Sequence, residues 1–283
     1  MFRQGFIAAA LVCALAAHAD AQTAWTFSWA KGQVLTTRVE HTTAVTETIS
    51  GAPNEITSKL VITKNWRVLD VDADGNATIE QSLSSLKNEQ NRPGSALVFD
   101  SNDLAKSTPE LKGMIKFINV PVAVIRVDRL GRVLEVKSGP KGKYDAEPPF
   151  VLVLPGQAVR EGQAWLRPYT LTLDPPLGLG EKFQAEQLAK LIKIDGEKAT
   201  IELSTTIKNP PTAAADKVPL LQKRLSGQLV FDIAKGRVES VRLGTDETVA
   251  NHQGAGSSYR FMCNYTEQII APTSPIIPTS GTR

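Results

Sequence analysis

Asp70-Val71-Asp72-Ala73-Asp74-Gly75 sets three carboxylates at alternate positions ahead of a glycine. That is how a calcium loop begins, with oxygen ligands converging on a hard cation. The complete loop needs a bidentate Glu at its twelfth position, but Gln81 stands there, Glu80 comes one place early, and Ala77 to Ile79 reads as a strand. A second corner, Asp195-Gly196, has no carboxylate ladder at all. The corner is therefore read as a metal-free turn.

Nucleophilic catalysis needs a base beside the nucleophile, most often His. Beyond residue 21 only His41 and His252 remain. His41 lies on the more apolar face of its strand and is read as a semi-buried, hydrogen-bonded side chain, and His252 as a solvated loop residue. Cys263, flanked at strand spacing by Phe261 and Tyr265, reads as a buried, inert thiol. With one cysteine and two distant histidines a zinc site is not expected. The sequence contains no Gly-x-Ser-x-Gly elbow and no Walker loop, and Gly178-Leu179-Gly180 lacks the third glycine of a dinucleotide loop. A hydrolase built on two carboxylates needs no histidine, but the many acids offer no pair that spacing alone selects. Trp25, Phe27 and Trp29 alternate as a sugar-stacking platform would, and equally as a strand packing into a core. The basic run Lys137 to Lys143 reads as a solvated loop. No catalytic or metal-ligating residue is assigned, no cofactor is implied, and the ligand-binding residues are left open.

The elements that would position these groups begin after a leader. Arg3, the apolar run Phe6–Ala17 and Ala19-Asp20-Ala21 form a signal peptide cleaved after Ala21. The run is shorter than the roughly 20 residues that span a bilayer, and no later stretch is longer, so no transmembrane segment is expected in the mature chain. Removing residues 1–21 takes away Arg3 and Asp20, which leaves the net charge at +3 with the signs interspersed. That balance is too mild to suggest either nucleic acid or an anionic membrane as a partner. Cys263 is the one cysteine after the leader, so no intramolecular disulfide is available.

Three landmarks then occur twice, in the same order. Lys31-Gly32-Gln33-Val34-Leu35 is echoed by Glu161-Gly162-Gln163-Ala164-Trp165. Ala77-Thr78-Ile79-Glu80, after Asp74-Gly75, is repeated as Ala199-Thr200-Ile201-Glu202 after Asp195-Gly196. Asp128 to Gly131-Arg132-Val133 matches Asp232 to Gly236-Arg237-Val238. These predict two diverged copies of one antiparallel unit, in a chain divided into a leader 1–21, a first β-rich repeat 22–150, a second at 151–271 and a disordered tail 272–283.

Apolar residues at odd positions from Leu35 to Ile49 give the period of a sheet with one wet face. Similar strands are predicted at 59–71, 76–86, 121–128, 132–137, 164–173, 183–194, 198–207, 226–233, 237–249 and 258–269. Thr108, Pro109 and Glu110 start a short amphipathic helix at 108–118, expected to lie across the sheet with Leu111, Met114, Ile115 and Ile118 inward. The corresponding 217–225 contains Pro219 and is expected to be a turn or one helical turn. The fold class is thus mainly β.

Phe99-Asp100-Ser101, the capped helix, Pro121-Val122, Val127-Asp128, Gly131-Arg132-Val133, Leu154-Pro155, Val159, Gly162 and Trp165 together resemble a family of uncharacterised secreted bacterial proteins. The resemblance implies envelope or periplasmic residence and a two-part β architecture, and carries over no catalytic residue. The function expected is that of a non-enzymatic secreted or periplasmic binding protein, its partner an envelope component or an apolar small molecule. Two alternatives stand beside it: a carrier holding an apolar molecule in a curved-sheet cavity, and a carboxylate-dependent hydrolase.

Overall fold

The structure, a computed structural model, describes residues 24–140 and 143–270. The leader, the tail from 272 and part of the basic run 137–143 lie outside the described residues. Twelve antiparallel strands follow in chain order: β1 (Val34–Ile49), β2 (Ala52–Val71), β3 (Ala77–Arg92), β4 (Ser95–Asp100), β5 (Pro121–Val127), β6 (Val133–Ser138), β7 (Ala164–Leu173), β8 (Glu181–Asp195), β9 (Lys198–Ile207), β10 (Ser226–Asp232), β11 (Arg237–Ala250) and β12 (Ser258–Ile270). They make a single open sheet in the order β6-β5-β3-β2-β1-β12-β11-β10-β9-β8-β7, with β4 on the far end of β3. The first and last strands join the halves, from Thr36 opposite Ile270 to Thr48 opposite Ser258.

The recurrent landmarks occupy matching places in that order. Ile79 on β3 faces Val68 and Ile125, and Ile201 on β9 faces Leu191 and Leu229. Ala77, Ile79, Ala199 and Ile201 are all fully buried, because period 2 turns each Ala and Ile to the same side and sends Thr and Glu to the other. Gly32 N donates to Val68 O and Val68 N to Gln33 O; Gly162 N donates to Leu191 O and Leu191 N to Gln163 O, all at 2.8–2.9 Å. Both glycines sit at φ +82°, a conformation that a Cβ disfavours.

One face of the sheet is apolar, and its core collects where the hairpins β2–β3, β5–β6, β8–β9 and β10–β11 turn. Phe27, Leu152, Leu191, Ile201, Leu229 and Phe231 pack on the second half and Leu35, Trp66, Val68, Ile79, Ile125 and Val127 on the first. The two clusters meet at Trp29 and Phe150. Backbone bonds from Phe27 N to Arg129 O (2.7 Å) and Ser28 N to Gly236 O (2.9 Å) run the N-terminal segment between the two Asp-started turns. Burying Phe27 there contributes about 2–3 kcal/mol.

Two elements differ from the sequence reading in form. The segment after Thr108 is helical, but as a 3-10 helix, Pro109–Phe117, and it buries none of its residues. Gly113 weakens an α-helix at its middle, and in a three-residue turn the apolar side chains no longer share one stripe. The second half instead carries a helix Ala214–Lys217 that runs into a 3-10 helix, Val218–Lys223. Its adjacent Leu220 and Leu221 are buried, Leu221 in one cluster with Val249, Phe261 and Cys263. Strand β4 was not singled out by period. Its Phe99 is buried opposite Asn88, and pairing with the polar end of β3 holds it.

Candidate ligand cavity on the apolar face

Strand register lines up one row across the apolar face: Leu60, His41, Tyr265, Leu243, Gly227, Leu203, Ala189 and Trp165, each opposite the next. Over this row the chain between β6 and β7 passes as a strap. Side-chain bonds fasten its part 143–151 to other elements. Tyr144 OH donates to Gln81 Oε1 (3.2 Å), Arg167 Nη2 to Ala146 O (2.8 Å), Gln187 Nε2 to Val151 O (3.2 Å) and Lys223 Nζ to Glu147 Oε1 (2.8 Å). Val151 takes φ +64°, an uncommon conformation for a β-branched residue. Phe150 turns into the core against Trp66, with ring centroids 5.1 Å apart.

Between strap and sheet lies a cavity of about 300 Å³. Trp66, Tyr144, Leu203, Leu225, Leu243 and Tyr265 supply apolar walls, and Lys64, Gln81, Gln187, Thr205 and Glu267 a few polar groups. Its volume is at the low end of small-molecule sites, and its lining sets an apolar wall against polar and charged side chains. The partly exposed Glu147–Lys223 pair stands at the solvent side.

Glu267 is the best-connected polar group in this cavity. Thr37 Oγ1 donates to its Oε1 at 2.7 Å, Tyr265 OH donates to Oε2, and Lys64 Nζ is 3.6 Å from Oε2. Burial, and then the Glu267 charge, push the Tyr265 phenol well above its ordinary range, so it stays protonated and continues to donate. Both carboxylate oxygens are engaged, while Lys64 keeps further donors for a guest.

No protein-family model matches the chain, and no curated protein sequence matches it. Among solved structures it is similar to lipovitellin, described by its lipid–protein interactions, at 11% identity and a TM-score of 0.47. That match covers 86% of this chain and 26% of the lipovitellin chain, so this chain spans about a quarter of it. It is also similar to an outer membrane channel from Pseudomonas putida F1 (10% identity, TM-score 0.29, covering 86% of this chain and 97% of that one). MucB in complex with MucA follows at 8% identity and a TM-score of 0.14, covering 82% and 89%. At such scores the site's own geometry carries the functional argument.

The residues marked out by sequence do not gather into one site. Asp72 turns inward on its own corner: Oδ1 accepts from Asp74 N (3.0 Å) and Asn76 N (2.9 Å), and Oδ2 from Asn76 Nδ2 (3.0 Å) and Arg126 Nη2 (2.5 Å). The Arg126 bond leads the interactions that hold this carboxyl far below the usual range. Asp70 turns to Lys31 at 3.1 Å, so the carboxylates do not converge. His41 Nε2 meets Cys263 Sγ, and burial lowers the imidazole's pKa while pushing the thiol up to about 11. Both shifts favour the neutral pair, the opposite of an activated nucleophile. His252 is buried rather than solvated, its Nε2 2.8 Å from Glu47 Oε1, because the β11–β12 loop folds back over the β1–β2 hairpin. Trp25 and Phe27 are core residues, and Trp29 stacks on Phe27 with centroids 5.6 Å apart. The cavity residues Lys64, Tyr144, Leu203, Leu243 and Glu267 were not marked by sequence. The one available signal was a lysine and a glutamate on otherwise inward positions of β2 and β12.

Proposed function

We propose that this protein is a non-enzymatic carrier or binding protein for an apolar small molecule, held between the strap 143–151 and the apolar face of the sheet. The observation that carries the reading is the cavity of about 300 Å³ walled by Trp66, Leu203, Leu225 and Leu243. A guest that takes apolar surface out of water there gains about 25 cal/mol per Å². The inward Lys64, which keeps donors beyond its contact with Glu267, suits a guest with one acceptor end. The Arg3, Phe6–Ala17 and Ala19-Asp20-Ala21 leader supports a periplasmic or secreted workplace. The matching positions of Ile79 and Ile201, and of Gly32 and Gly162, support descent of the two halves from one duplicated unit.

The test is titration with cis-parinaric acid, a fluorescent fatty acid. Saturable one-to-one binding is expected, weakened at least tenfold by Thr205→Trp, which fills the cavity from β9. The melting temperature of that variant reports whether the fold is kept. Absence of saturable binding, or unchanged binding by a folded Thr205→Trp, overturns the reading.

A further inference from the structure

The excursion between β4 and β5 leaves apolar surface uncovered. Leu104 (37%), Ile115 (39%), Phe117 (48%) and Val120 (40%) are four of the eleven exposed large apolar side chains among the described residues, all within 17 positions. Exposed apolar side chains gathered in one short segment point to a contact surface more than single ones scattered over the chain do. In the 3-10 helix, side chains three apart eclipse, so Leu111, Met114 and Phe117 form one ridge and Lys112 and Ile115 the next. Lys116 Nζ lies 5.1 Å from the Phe117 ring centroid. Lys106 pairs with Asp103, but Lys112 and Lys116 have no ion pair among the described residues.

We propose that residues 104–120 are a docking surface for a lipid bilayer containing anionic lipid. Ile115, Phe117 and Val120 enter the boundary between headgroups and acyl chains, and Lys112 and Lys116 reach anionic headgroups. The charge decides between occupants. A short amphipathic element with aromatic and aliphatic tips beside two lysines without ion pairs, against the single Glu110, matches an interface that is apolar below and negative above. The inference goes beyond the binding reading and does not need it: a protein with an empty cavity would dock equally.

The test places a polarity-sensitive fluorophore on Gly113→Cys, where an added Cβ meets nothing within 4 Å. Cys13→Ser keeps the leader unlabelled, and Asp195→Cys in the same background carries the control label at a distant hairpin. On addition of vesicles of equal parts phosphatidylcholine and phosphatidylglycerol, the label at 113 should shift to the blue and the one at 195 should not. Ile115→Glu with Phe117→Glu should abolish the shift. Lys112→Glu with Lys116→Glu should weaken apparent affinity severalfold, and pure phosphatidylcholine should bind several times more weakly than the mixture. These substitutions fall on exposed positions, so melting temperatures should stay within a few degrees. No shift at 113, an equal shift at 195, or a shift that survives the double Glu variant overturns the proposal.

Discussion

His41 Nε2 lies 3.1 Å from Cys263 Sγ across the β1–β12 seam that joins the two halves. Both groups are neutral in the folded protein, and each moves away from its ordinary pKa in the direction burial demands. The unfolded chain therefore takes up a proton on His41 more readily, and stability should fall as pH drops below about 6.5. In the unfolded chain the thiol ionises near 9, against about 11 in the fold. Stability should thus also fall as pH climbs past 9, on the order of 1–2 kcal/mol from this group. Denaturant titrations across pH should show the acid limb reduced in His41→Gln and the alkaline limb reduced in Cys263→Val. A flat profile in the unsubstituted protein would contradict the burial of the two groups.

Asp72 offers a second test, because all the hydrogen bonds that would have to give way to a cation are already made to Asp74, Asn76 and Arg126. Asp72→Ala should lower the melting temperature. Added calcium should leave it unchanged in either protein, as should a chelator. A calcium-dependent rise of several degrees that disappears in Asp72→Ala would show that the corner does bind metal.

Ile79 and Ile201 are both fully buried, each between two apolar cross-strand partners. Ile79→Ala and Ile201→Ala should each cost about 2–5 kcal/mol in chemical denaturation, since each removes packing that neighbours in a sheet cannot easily refill. Thr78→Ala and Thr200→Ala, on the other face, should cost less than about 1 kcal/mol. Similar losses from the two isoleucines would also bear on the duplication. A loss confined to one half would argue that the halves contribute unequally to the core.

What the sequence disclosed is tied to local signals. Period 2 marked β1, and the Asp-Gly corner marked the β8–β9 hairpin, because turn chemistry and alternation are written in neighbouring residues. Strand β4 escaped because Ser95–Asp100 is short and opposes the polar Lys87–Arg92, so only tertiary pairing defines it. The weight of helical cover fell on Leu220 and Leu221 rather than on Leu111 and Met114. Of that adjacent pair Leu221 met the apolar surface of β11 and β12 and Leu220 that of β7, β8 and β9, whereas the longer amphipathic stretch met none that would bury it. The cavity was illegible for the same reason. Lys64, Leu203 and Tyr265 are far apart in the chain and meet only through register, beneath a strap without period.

That strap makes the last prediction. Glu147 and Lys223 link it to the 3-10 helix on the opposite side of the cavity at 2.8 Å, and both line the cavity. Glu147 is half exposed, so the pair stabilises the fold by no more than about 1 kcal/mol, and Glu147→Gln should shift the melting temperature little. Its effect should fall on opening. With one of the strap's fastenings weakened, the strap lifts more often, and a bound guest leaves whenever it does. Stopped-flow displacement of cis-parinaric acid by unlabelled oleate should therefore be several times faster in Glu147→Gln. High salt should accelerate the unsubstituted protein toward the same rate, because it screens the pair. Lys87→Gln breaks a comparable exposed pair with Glu89 on the other face and should leave the displacement rate unchanged. Equal rates in Glu147→Gln and the unsubstituted protein would mean that the guest leaves without the strap moving.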